Sequence, residues 1–166
     1  MNFADIVEIL REKGQTVATM ESCTGGLLAS LITDIPNASS VFSYGLVTYS
    51  NEAKTKMGVD ESIIRENTVY SIEVASSMAK VVCDISKSDY GIGITGRLGV
   101  EDKNNKGGDL MLVYFSIYDR KDDSFISQTI SVTGKNRKEG KNQVLEVVHM
   151  RFKQILKQKK YNKIYH

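Results

Sequence analysis

A three-layer α/β/α sandwich around a mixed, mostly parallel sheet is the fold class that the sequence predicts, and three observations point to it. Helical-period segments alternate with short β-rich runs through the first 96 residues, the pattern that covers both faces of parallel strands with helices. Two later β-rich runs, 110–118 and 125–132, flank a charged turn and read as an antiparallel hairpin. An amphipathic segment from about Arg137 to Lys157 then closes the chain as a helix. With 166 residues, 41% hydrophobic and 25% charged, the composition suits one globular domain with a sizeable core. The expected division is a single domain over 1–158 and a basic tail over 159–166.

Taken in order, Asn2 is placed to cap a first helix whose apolar stripe is Phe3, Ile6, Val7, Ile9 and Leu10, with Gly14 as its stop. The β-rich run Thr16-Val17-Ala18-Thr19-Met20 follows. Leu27, Leu28, Leu31 and Ile32 recur at helical spacing, which puts Gly25 and Gly26 in the first turn of the next helix. Ile35-Pro36 ends it, because a residue before proline resists the α region. Residues 44–49 read as a strand, and Ser50 as the cap of a short helix from Asn51 to Met57 closed by Gly58. Asp60 and Ser71 are the next two caps. Residues 90–95 form a buried strand ended by Gly96, and 97–108 form a glycine-rich loop long enough to suggest ligand binding.

Several classes are disfavoured at once. No apolar run approaches membrane-spanning length, and Asp5, Glu8, Arg11 and Glu12 interrupt the first helix, which argues against a secretory signal. Cys23 and Cys83 match no metal-ligand spacing and no disulfide framework. A cytoplasmic protein with no membrane partner is the expectation. Net charge is only +2, but residues 134–166 hold ten Lys and Arg against Glu139 and Glu146. That excess fits a solvated helix face and tail; without a recognition motif it argues against a nucleic-acid partner and leaves a phosphorylated small ligand open.

The stretch Glu21-Ser22-Cys23-Thr24-Gly25-Gly26 is a strand–turn–helix junction with Ser22 at its apex. Unpaired N–H groups there suit an anion, so Ser22 can be a nucleophile, a phosphate contact or a cap. His149 sits within the last helix and His166 ends the chain, which removes a Ser-His-Asp arrangement and a zinc site. A different base lies in Val47-Thr48-Tyr49-Ser50-Asn51-Glu52-Ala53-Lys54. Lys54, one turn into a helix and partly buried, is placed to be a neutral amine that takes a serine proton. Tyr49, at the strand end, can relay a proton or orient Lys54. Cys23 reads as buried filler beside the serine.

Together these two stretches resemble the signature motifs of the CinA C-terminal domain family, the nicotinamide-nucleotide amidohydrolases. The likeness continues through Leu31-Ile32-Thr33-Asp34-Ile35-Pro36, Gly58-Val59, Val69-Tyr70-Ser71-Ile72-Glu73-Val74-Ala75 and Thr95-Gly96, over roughly residues 5 to 156. It implies hydrolysis of the carboxamide of nicotinamide mononucleotide to nicotinic acid mononucleotide and ammonia. Ser22 matches the nucleophile, and Lys54 and Tyr49 its partners. Backbone N–H groups near Thr24, Gly25 and Gly26 would hold the oxyanion, and the chemistry needs no metal or organic cofactor. The resemblance also makes a homo-oligomer plausible, and the family's link to competence suggests DNA. Full-length members often carry an N-terminal domain resembling molybdopterin-binding proteins, so a stand-alone domain is expected here.

Departures gather on the substrate side. Where the family has Thr-Gly-x-Ala-Gly-Pro-x-Gly-Gly, this chain reads Thr95-Gly96-Arg97-Leu98-Gly99-Val100-Glu101-Asp102. Arg97 either fills the pocket or contacts phosphate. The family's Gly-Asp-Arg segment, with a second arginine four residues on, falls without a gap on Lys135, Asn136 and Gly140, with both arginines absent; with one inserted residue, the preferred alignment, Arg137 and Lys141 take the arginine places, two cations on one helix face. An inactive module that binds a phosphorylated nucleoside or a protein is the alternative reading.

Overall fold

The computed structural model describes residues 1–99, 103–107 and 109–161; of the predicted loop, 100–102 and 108 lie outside these, as do 162–166 of the predicted tail. Its elements are α1 (Ala4–Lys13), β1 (Val17–Glu21), α2 (Leu27–Thr33), β2 (Phe42–Val47), α3 (Asn51–Met57), α4 (Glu61–Asn67), α5 (Ile72–Ser86), β3 (Tyr90–Gly96), β4 (Leu112–Asp119), β5 (Ser124–Ser131) and α6 (Arg137–Tyr161). The five strands form one sheet in the order β2-β1-β3-β4-β5. β1 pairs in parallel with β2 and β3, and β4 is antiparallel to both β3 and β5. Four of the five strands therefore run one way, and only β4 runs against them.

Strand alternation sorts the side chains into two layers. Val17, Ile92, Ile94, Val113 and Phe115 join α1, α2 and α6 in a core that includes Ile6, Leu10, Leu28, Val144 and Phe152. Ala18 and Met20, the alternate residues of β1, meet Val74, Met78 and Val82 of α5 and partly buried Ile63 and Ile64 of α4 on the other face. Gly91 and Gly93 bring α5 directly against β3. A Cβ on either would lie 1.9 Å from the Ala79 carbonyl oxygen or 2.1 Å from that of Ala75, so any side chain would lever the helix off the sheet.

The caps agree with the sequence at three helices. The side chains of Ser50, Asp60 and Ser71 accept from the backbone N–H of Ala53, Ser62 and Val74, and Gly14 and Gly58 close α1 and α3 in left-handed conformations. Elsewhere the bounds move. Gly25 (φ 64) and Gly26 (φ 91) precede α2 rather than forming its first turn, because a right-handed helix cannot begin until the left-handed turn is complete. β2 stops at Val47, two residues short of the predicted Tyr49, and α6 continues to Tyr161, past the predicted helix end at Lys157.

Strand direction places the site. The carboxyl ends of β1, β2, β3 and β5 share one edge of the sheet, and the segments leaving them carry Ser22, Thr48 to Lys54, Arg97 and Arg137. Ligands on such sheets bind beyond those ends.

Candidate active site

Glu21 shapes the turn that carries Ser22. It is fully buried, at 0% exposure, and its carboxylate accepts from Thr24 Oγ1 at 2.6 Å, the Leu28 N–H at 3.0 Å and the Ala29 N–H at 2.9 Å. The last two are donors that α2 leaves unpaired at its start, so Glu21 caps the helix from inside the fold, where Gly26 has no side chain to do so. The Ser22 N–H donates to the Ile94 carbonyl at 3.0 Å and the Gly25 N–H to the Ser22 carbonyl at 3.0 Å, which fixes the serine between β3 and the turn.

Lys54 reaches this serine from α3. Ser50 starts the helix, so the fourth helical residue points back under the strand end, and Lys54 is 1% exposed. Its Nζ donates to Ser22 Oγ at 3.1 Å and to the Thr48 carbonyl at 2.8 Å. The Thr48 N–H is itself tied to the Glu21 carbonyl at 2.9 Å. Cys23, beside the serine, is no competing nucleophile at neutral pH: burial pushes its thiol up to about 12, and the thiolate is the reactive form.

Ser22 and Lys54 open into a cavity of about 540 Å³ that also takes in Tyr49, Tyr70, Thr95, Gly96, Arg97 and Arg137. Tyr49 is 65% exposed; its hydroxyl accepts from Arg137 Nη2 at 3.2 Å, and Arg137 Nη1 donates to the Leu98 carbonyl at 3.1 Å. Thr95 Oγ1 is turned away, donating to the Val69 carbonyl at 2.9 Å. Arg97 is buried, its guanidinium carbon 4.4 Å from the centroid of the Tyr70 ring.

The predicted set is thus divided. Ser22, Tyr49, Lys54, Thr95, Gly96, Arg97 and Arg137 share the main cavity, whereas Thr24, Gly25, Gly26 and Lys141 line a neighbouring open hollow. Arg137 lines both. The expectation that the 24–26 backbone serves the serine is corrected at Gly25, whose N–H already closes the turn; Thr24, Gly25 and Gly26 line the hollow together with Lys141, the Nζ of which would lie 3.2 Å from a Cβ on Gly25. Sequence reasoning missed Tyr70, Asn104 and Asn105 as lining residues; Asn51 Nδ2 donates to Asn105 Oδ1 at 2.8 Å, joining α3 to the loop after β3. His149 lies on the far side, within 2.9 Å of Asp5. Among the described residues, no three His, Cys, Asp or Glu side chains converge to hold a metal, and no helix is long and apolar enough to cross a membrane.

The family model described as the CinA C-terminal domain matches residues 3–156. A putative competence-damage inducible protein of Caldanaerobacter subterraneus is 50% identical over 95 residues, 57% of this chain and 23% of the relative. A CinA-like protein of Geobacter sulfurreducens is 40% identical over 116 residues, 69% of this chain and 28% of the relative. The chain thus spans about a quarter of the length of these relatives. Among solved structures, a competence-damaged protein (CinA) superfamily protein of Klebsiella pneumoniae superposes with a TM-score of 0.86 at 23% identity, over 93% of this chain and 95% of that one. The competence or damage-inducible protein of Enterobacter asburiae gives 0.80 at 26% identity over 93% of each.

Proposed function

This chain belongs to the CinA C-terminal domain family, and from that premise we propose that it is a serine amidohydrolase that converts nicotinamide mononucleotide to nicotinic acid mononucleotide and ammonia. The observation that carries the reading is the 3.1 Å contact between Lys54 Nζ and Ser22 Oγ, both side chains buried. In the amine form Lys54 accepts the Ser22 proton as Oγ bonds to the carboxamide carbon. The carbonyl π electrons move to oxygen, and backbone N–H groups of the turn after Ser22, other than that of Gly25, which the turn itself uses, stabilise that charge. Lys54 then returns the proton to the amide nitrogen, the C–N bond breaks, and ammonia leaves. Water attacks the acyl-enzyme, gives its proton through Lys54 to Ser22 Oγ, and the carboxylic acid departs as its anion. Tyr49 and Arg137, hydrogen-bonded to each other at the cavity wall, hold the nucleotide. The reaction asks for no metal and no organic cofactor.

The test is ammonia release from nicotinamide mononucleotide by the purified protein. Wild type and Cys23→Ala are expected to release it and Ser22→Ala to lose it. No release by wild type, or undiminished release by Ser22→Ala, refutes the reading.

A further inference from the structure

Arg97 holds two polar hydrogens away from water with nothing among the described residues to receive them. The side chain is 3% exposed, and among the described residues neither Nε nor Nη2 has a hydrogen-bond partner. Buried donors are almost always paired, and a guanidinium left unpaired is costlier than a neutral group. The two orphaned nitrogens are not scattered: Nε and Nη2 lie on the same edge of the guanidinium plane, the edge that presents two parallel N–H bonds to a pair of oxygens. The Tyr70 ring, 4.4 Å from the guanidinium carbon, fixes that plane. The Arg97 N–H donates to the Leu112 carbonyl at 2.9 Å, and the Leu98 carbonyl accepts from Arg137, so the backbone on both sides is held as well. Among the described residues, three basic side chains line this cavity against one carboxylate, Glu52, which sits 3.6 Å from Lys56 on the surface of α3.

We propose that the Nε–Nη2 edge of Arg97 is a built receptor for an oxyanion of the ligand that occupies the Ser22 cavity. A neutral carbonyl could accept from both donors but would leave the charge; a phosphate or carboxylate offers an oxygen to each and neutralises it. The ligand class is therefore an amide whose phosphate, or whose product carboxylate, seats on Arg97. Naming the ligand in this way rests on the amidohydrolase reading of Ser22, whereas the anion site can be measured without turnover.

The experiment is calorimetric titration of the Ser22→Ala protein with three ligands: nicotinamide riboside, which has neither anion, nicotinamide mononucleotide, which adds phosphate, and nicotinic acid riboside, which adds carboxylate instead. The anion-bearing source binds at least about tenfold more tightly than the plain riboside, and which of the two gains identifies it. Adding Arg97→Met removes that advantage, and Arg97→Lys, which keeps charge without the two-pronged edge, removes most of it. In parallel, inorganic phosphate or acetate raises the melting temperature of wild type but not of Arg97→Met, and in anion-free buffer Arg97→Met melts at or above wild type, since it loses an unpaired buried charge. An anion preference that survives Arg97→Met, or no preference in either protein, overturns the proposal. So does an Arg97→Met protein that is destabilised while its anion-induced shift persists, because Arg97 is then structural. Anion binding through Arg97 in a protein that releases no ammonia keeps this site and discards the amidohydrolase reading.

Discussion

The cavity has two walls that differ in how far the fold has already satisfied them. On the wall formed by the ends of β1 and β2, Glu21 accepts three hydrogen bonds, Lys54 donates to two oxygens, and the Ser22 N–H is spent on β3. On the wall formed by the segments after β3 and β5, Arg97 keeps two donors without acceptors among the described residues, and Arg137 rests on a carbonyl and an exposed hydroxyl. The first wall is complete as it stands; on the proposed reading, a ligand completes the second. Chemistry benefits from groups fixed beforehand, because nothing need reorganise when charge develops. Binding benefits from groups whose best partner arrives with the ligand. Mutations on the first wall should therefore act on kcat, and on the second on KM.

Lys54→Met carries the largest expected effect. Methionine fills nearly the same volume without a proton-accepting nitrogen, so ammonia release should fall on the order of 10⁴-fold in kcat. The fold should survive, because replacing a buried basic group with an apolar one of similar size is often neutral or stabilising. Steady-state kinetics beside urea unfolding separates the two. A variant that keeps wild-type kcat would show that Lys54 only packs beneath Ser22.

Glu21→Gln is the next in size, and it breaks the same wall through its support. The amide keeps one acceptor oxygen but turns an NH₂ group against donors of the turn, leaving at least one buried N–H unpaired. The cost is about 2 kcal/mol of stability, read as a lower urea midpoint, with kcat falling alongside it as the Ser22 turn loosens. A change below about 0.5 kcal/mol, the range of ordinary surface substitutions, would mean that the turn holds without the carboxylate.

How much of this was readable in advance follows from the distance over which each feature is encoded. Ser50, Asp60 and Ser71 cap helices that begin at the very next residue, and a hydroxyl or carboxylate before an apolar-periodic run announces that locally. Lys54 is legible because the Ser50 cap sets its helical phase, and Arg137 only through the resemblance, which aligns it with a family arginine. Glu21 is not. Its three partners lie three, seven and eight residues ahead, and a glutamate at a strand end reads as solvated until strand alternation is known to turn it inward. The burial of Arg97 depends on Tyr70, twenty-seven positions earlier, meeting it across the β3 end. Helical periodicity alone draws Gly25 and Gly26 into α2, since it carries no sign of φ.

Tyr49→Phe has the smallest expected effect and tests the division between the walls most directly. The sequence makes Tyr49 a proton relay or an orienter of Lys54, a role on the first wall. In the fold its hydroxyl accepts from Arg137 and its side chain is largely exposed, a place on the second. A relay in the transition state contributes roughly 10² to 10⁴ in rate, whereas an exposed hydrogen bond to a cation is worth on the order of 1 kcal/mol, a few-fold in affinity. Removing only the oxygen is therefore expected to raise KM for the mononucleotide two- to fivefold, as about 0.4–1 kcal/mol requires, with kcat held within a factor of two or so by the same measure. Arg137→Gln should reproduce that KM shift and more, and the double variant should add little beyond Arg137→Gln, because both substitutions cut one hydrogen bond. A hundredfold fall in kcat for Tyr49→Phe with KM unchanged would move this tyrosine to the Ser22 wall and end the separation.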